Sequence, residues 1–280
     1  MSKVKVKFNQ DFIQILKIYA RIGKRSNETN KSFVLIKDTS MKVSDSYRTI
    51  ASVFKYETLG LPQPIALYDA NKLLKIISKF GYEKEYTLDF KADSHIKLSV
   101  GRSKFTLSTV EYEEAEEPDV DNDCGIISDE KFDKIITLCE DNSIAKFTLT
   151  NDDIVRIKVA QDIINVKNKF TFKNSEDELV ATLLEQANQS DADSSKVSIN
   201  NDITKNEIEE NSYTYEVPLN IFKSNEDYDV IISDDKMNNL IVLKGKEIPI
   251  EYFVSKDVSN ELLTDDDNEE IDEYEFFEEL

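Results

Sequence analysis

The 280-residue chain holds 35 Lys and Arg against 56 Asp and Glu, a formal net charge of −21, and 40% of it is hydrophobic, with 15 Phe and 12 Tyr. That apolar fraction suits one large domain or two ordinary ones, and no apolar run has the length of a membrane span, so a soluble, intracellular protein is expected. Cys124 and Cys139 lack metal-type spacing and give no disulfide framework, and acidity averaged over the chain argues against a nucleic-acid binder.

The chain opens on a strand-like alternation of Val4, Val6 and Phe8 with Lys3, Lys5 and Lys7, not on a signal peptide. A helix is predicted over about Asn9–Gly23, where Phe12, Ile13, Leu16, Tyr19 and Ala20 recur at helical spacing. Gln14, Lys17, Arg21 and Lys24 share its opposite face. After strands at Ser32–Ile36 and Ile65–Tyr68, a second helix is predicted over Asp69–Phe80, capped by Asp69 and ended by Gly81. Leu73, Leu74, Ile76, Ile77 and Phe80 form its apolar side, and Lys72, Lys75 and Lys79 form the other side with no acid among them.

Strands follow at Tyr86–Phe90, Ile96–Val100 and Lys104–Val110, and then Glu111–Asp123 carries eight acids and no base, as a solvated linker would. A third helix is predicted over Asp129–Glu140, with Phe132, Ile135, Ile136 and Cys139 inward and Lys131 and Lys134 outward among acids. Lys146–Thr150, Ile154–Val159 and Ile163–Phe172 read as strands. Glu176–Ser212, with ten acids and two lysines, reads as a long loop insertion in which Asp177–Ala187 can form a short helix. A strand at Tyr213–Val217 leads to a short fourth helix near Leu219–Ser224, with Pro218 at its first turn and Lys223 as its base. Strands at Tyr228–Ser233, Leu240–Lys244 and Ile250–Val254 precede a tail, Glu261–Leu280, with eleven acids and no base.

The three acidic segments hold 29 of the 56 acids and 2 of the 35 bases, so the remainder carries a net charge of +6. Two helices in that remainder have basic polar faces, which neutralise phosphates by counterion release without reading sequence. The order helix, strands, helix, strands occurs twice, broken in Glu111–Asp123.

Pro64-Ile-Ala-Leu-Tyr-Asp-Ala-Asn-Lys-Leu-Leu-Lys-Ile-Ile-Ser resembles the strand-to-helix segment in the first domain of T-even phage DNA sliding clamps. Lys131–Phe172 resembles the start of that family's second domain, and Tyr228–Ser233 through Tyr252–Ser255 its closing hairpins. The resemblance implies an α+β DNA-clamp fold of two similar domains, each with two helices packed on antiparallel sheets. In this chain they would be residues 1–115 and 128–258, joined by a linker at 116–127, with an insertion at about 176–212 and an acidic tail at 259–280. It also implies a homotrimeric ring around duplex DNA in the bacterial host cytoplasm, an ATP-dependent loader, a tethered polymerase, a further role in late transcription, and no cofactor or catalytic site. The DNA-lining residues would be Lys17, Arg21, Lys24, Lys72, Lys75 and Lys79, with Lys131, Lys134 and Lys223 in support. Ile126, Ile127, Tyr252, Phe253 and Val254 would wall a pocket for partner peptides, which the tail sequence Tyr274-Glu-Phe-Phe-Glu-Glu-Leu280 resembles. By the same resemblance, the edge near Lys104–Thr109 would pair with a neighbour's strand near Ile163–Phe172.

Other chemistry is less well supported. Asp119–Glu130 imitates a calcium loop, but Cys124 stands where the turn needs Gly and Pro118 spoils an incoming helix. His95 is the sole histidine, so a His-based metal cluster is excluded. An acidic scaffold or DNA mimic that binds basic partners explains the net charge but not the basic helix faces. A carboxylate-metal nuclease is the third alternative.

Overall fold

The computed structural model describes residues 3–22, 33–45, 49–92, 95–110, 114–115, 126–164, 169–175, 178–184, 194–209, 214, 216–234 and 240–255, and the chain divides into two units, Met1–Asp129 and Glu130–Leu280.

Unit one runs β1 (Lys3–Val6), α1 (Gln10–Ile22), β2 (Val34–Ile36), β3 (Ser40–Ser44), β4 (Ile50–Lys55), β5 (Ile65–Leu67), α2 (Ala70–Phe80), β6 (Tyr86–Ala92), β7 (His95–Val100), β8 (Ser103–Ser108), β9 (Glu114–Ala115) and β10 (Ile126–Ile127). Antiparallel pairing gives the orders β1-β6-β7-β8 and β4-β3-β2-β5. β3 and β4 have no counterpart among the expected strands.

Asn9 starts α1, its side-chain oxygen accepting the Phe12 N–H at 2.7 Å. Phe12 then stacks on Phe8 at 4.8 Å and meets Tyr56 edge-on at 5.4 Å, while Tyr19 Oη lies 2.7 Å from Ser52 Oγ in the interior. Each such buried aromatic or aliphatic side chain contributes about 1.5–3 kcal/mol. α2 ends at Gly81, whose φ of 94° suits glycine and whose N–H donates to Ile77 O at 2.8 Å. α1 and α2 pack together, and Asn71 Nδ2 donates to Ala20 O at 3.5 Å.

Unit two runs α3 (from Asp129, the last residue of unit one, to Asp141), β11 (Ser143–Leu149), α4 (Asn151–Ile164), β12 (Lys169–Ser175), β13 (Glu178–Leu184), β14 (Ser194–Ser198), β15 (Lys205–Asn206), β16 (Val217–Pro218), β17 (Tyr228–Ser233), β18 (Ile241–Gly245) and β19 (Ile250–Val254). One sheet has the order β14-β13-β12-β16; a second run has the order β15-β11-β17-β18-β19.

Three expectations are corrected here. Ile154–Val159 and the start of Ile163–Phe172 are not strands but parts of α4. Thr150 N–H donates to Asp153 Oδ2 at 3.0 Å and Asp153 N–H to Thr150 Oγ1 at 3.2 Å, a capping box that fixes the first turn. Glu176–Ser212 is not simply a solvated insertion: β13 replaces the helix expected at Asp177–Ala187, and Leu179, Val180, Leu183, Val197 and Ile199 are buried. The fourth helix is a single 3-10 turn, Leu219–Ile221, because the Lys223 N–H donates to Tyr228 Oη at 2.9 Å instead of continuing a helical ladder.

Candidate nucleic-acid interface

The two packed helices of unit one bury their apolar stripes and leave Lys17 and Arg21 of α1 and Lys72, Lys75 and Lys79 of α2 exposed. Their spacings of three and four residues place each set on one helix face. None of the five is ion-paired with a described residue. Three other lysines of the unit are paired: Lys5 with Glu85 at 2.8 Å, and Lys37 and Lys42 with Asp129 at 2.9 and 2.7 Å; Lys7, Lys84, Lys97 and Lys104 are exposed like the helix cations. The acids nearest the two stripes in sequence, Asp11 and Asp69, lie at the helix N-termini, where the helix dipole favours them. Lys24 lies outside the described residues.

Unit two differs. Lys134 is exposed but is flanked by exposed Glu130 and Asp133. Lys131 is buried at 8% exposure, which removes it from any phosphate-facing surface. Lys223 is half-buried with Nζ 4.0 Å from Glu226 Oε2, so it too is withdrawn. α4 adds Arg156, whose guanidinium pairs with the buried carboxylate of Asp153, and Lys158, whose pKa is lowered by partial burial. Sequence reading missed both because the run Ile-Val-Arg-Ile-Lys-Val alternates like a strand. The Thr150-x-x-Asp153 box was the available signal.

The residues expected to wall the peptide pocket fall in both units, Ile126 and Ile127 in unit one and Tyr252, Phe253 and Val254 in unit two. Tyr252, Phe253 and Val254 are core residues at 0%, 5% and 1% exposure, and Phe253 stacks on Phe132 at 4.1 Å. Sequence shows that these residues are apolar but not that β19 is buried without a break from Tyr252 to Val254, with Phe132 of α3 against Phe253. Ile126 and Ile127 form β10, parallel to β9 at Glu114 and Ala115, inside the stretch expected as linker. The acidic tail lies outside the described residues, as do residues 119–125 of the calcium-like loop. Among the described residues no group of three His, Cys, Asp or Glu is placed to hold a metal ion. Burial pushes the Cys139 thiol up to about 12, so it is no nucleophile. No helix among the described residues is long and apolar enough to cross a membrane.

No family model matches the chain, and no curated protein sequence matches it. Solved structures do match. The DNA polymerase III β subunit from Eubacterium rectale aligns over 93% of this chain and 66% of its own, at 10% identity and a TM-score of 0.61. That of Pseudomonas aeruginosa aligns over 95% and 69%, at 12% identity and 0.57. The PCNA2–PCNA3 complex of Sulfolobus tokodaii aligns over 91% and 98%, at 11% identity and 0.55. The chain has the DNA-clamp fold. It spans about two thirds of the bacterial β subunits and nearly the whole archaeal PCNA chain. Its α+β make-up, with helices packed on antiparallel sheets, agrees with the architecture expected from sequence.

Proposed function

We propose that the chain is a sliding clamp, a non-catalytic processivity factor that closes as a homotrimer around duplex DNA and tethers a polymerase to it. The observation that carries this reading is the set of five exposed cations, none ion-paired with a described residue, on the packed α1 and α2 of a clamp fold. A ring that slides needs diffuse attraction to phosphates and no base contacts, and lysines and an arginine on rigid helices supply that. The acidity of the rest of the chain, which brings the net charge to −21, disfavours DNA on the outer surface.

A closed ring needs an ATP-dependent loader to open it on DNA without ends, and that loader is the second partner of this reading. The resemblance to T-even phage clamps supports a phage protein acting in the host cytoplasm, with a further role in late transcription. The acidic-scaffold reading leaves the cationic faces of α1 and α2 without a purpose.

Light scattering over a concentration series tests assembly. A species near three times 32.2 kDa is expected. A monomer at every concentration would remove the ring.

A further inference from the structure

Unit one buries its large apolar side chains with two exceptions among its described residues, Tyr68 at 44% exposure and Tyr82 at 39%. Both flank α2. Tyr68 stands two residues before Ala70, and Tyr82 two residues after Phe80. Between them lie Lys72, Lys75 and Lys79, all exposed. α2 has 11 residues, so about 16 Å of helix separates the two tyrosine positions.

Each tyrosine is carried on anchored backbone. Leu67, just before Tyr68, is 1% exposed, pairs with Val34 of β2 and bridges to Thr109. Gly81, just before Tyr82, donates its N–H to Ile77 O at 2.8 Å, and its carbonyl accepts Tyr86 Oη–H at 2.8 Å and the Lys84 N–H at 3.3 Å. The acids beside the two rings are Asp69 and Glu83, both exposed; Glu85 is paired with Lys5, and Lys84 is exposed as well. The α2 surface therefore combines a basic stripe with an aromatic ring at either end.

Duplex DNA has a use for the lysines but not for the rings, because its bases are stacked inside and its outer charge is met by cations alone. A single strand has a use for both. Its unpaired bases stack on aromatic side chains whatever their sequence, while cations follow the backbone. An apolar peptide would engage the rings and leave the three lysines idle.

We infer that the α2 surface of unit one also holds single-stranded DNA, with Lys72, Lys75 and Lys79 on the phosphates and Tyr68 and Tyr82 stacked on unpaired bases. The inference rests on the reading of α1 and α2 as the DNA-facing surface and extends it from the duplex to an adjoining single strand.

Fluorescence anisotropy of the full chain at low salt tests it, with labelled oligo-dT and a labelled blunt hairpin duplex of equal phosphate number as probes. Wild type is compared with Tyr68→Ala plus Tyr82→Ala, and circular dichroism and thermal unfolding control for folding. The affinity for oligo-dT should fall at least about fivefold, and that for the duplex should stay within about twofold. Tyr68→Leu with Tyr82→Leu, which keeps apolar bulk without a ring, gives the same loss if the alanine variant misfolds, and Tyr68→Phe with Tyr82→Phe retains binding. Unchanged oligo-dT affinity in the alanine and leucine variants would overturn the inference and leave the duplex reading standing. Equal losses on both probes would overturn the assignment to a single strand. A wild type that binds the duplex and not oligo-dT would overturn the inference alone, and one that binds neither probe would overturn the DNA-facing reading with it.

Discussion

Thr150 and Asp153 cap one another at the head of α4, and the Asp153 carboxylate, with no exposed surface, also accepts Asn201 Nδ2 at 2.8 Å and pairs with Arg156. Asp153→Ala strands those donors and should cost roughly 2–4 kcal/mol, whereas Thr150→Ala should cost about 1 kcal/mol. Urea unfolding measures both. Amide exchange across 151–164 should show the loss concentrated in α4; uniform loss across unit two would refute its assignment to the cap.

Lys42 is 2% exposed and relies on Asp129, whose carboxylate it meets at 2.7 Å. Partial burial pushes the Asp129 pKa up, but hydrogen bonds from Lys42 and Lys37 outweigh it and the net shift is downward. A lowered folded pKa gives stability that is fully present above the unfolded value of about 3.9 and is lost as pH falls through the folded value. Asp129→Asn should therefore destabilise the protein at pH 7 by about 1–3 kcal/mol, a range discounted because Asp129 is half-exposed. The deficit should shrink below pH 4. Thermal unfolding at pH 7 and pH 3 checks the sign.

The five cations of unit one should act as phosphate contacts. Lys72→Ala with Lys75→Ala and Lys79→Ala should weaken DNA retention equally for all sequences. The same substitutions should flatten its salt dependence by about one logarithmic unit for each phosphate no longer neutralised. Lys134→Ala, set among acids in unit two, should change little. Equal effects from both variants would argue against a lining concentrated in unit one.

Phe253 is packed on Phe132 and should behave as core. Phe253→Ala should cost about 3–5 kcal/mol in chemical denaturation, and Phe253→Leu much less. Loss of peptide binding in Phe253→Ala at full stability would instead restore the pocket role expected from sequence.

The helices of unit one were legible because each joins a clear apolar stripe to a polar face, and α2 has Gly81 as a stop as well. α4 was not, since β-branched Ile154, Val155, Ile157 and Val159 favour strands locally while the Thr150–Asp153 box and burial of Ile154 and Ile157 decide for a helix. β13 was hidden because acids counted over a long window masked the short run Leu-Val-Ala-Thr-Leu-Leu. The exposed lysines of α1 and α2 could be read from spacing. The burial of Lys131 and the pairing of Lys223 could not, because both depend on neighbours distant in sequence or on a turn geometry absent from the expected helix.

Encirclement is tested most directly by threading. The protein is incubated with linear duplex DNA, both ends are then blocked with bulky protein, and the complex is washed in high salt. A ring predicts retention that survives salt and ends when a nuclease cuts the DNA between the blocks. Complete release by salt, with blocked and free ends alike, would show that the chain binds DNA without enclosing it.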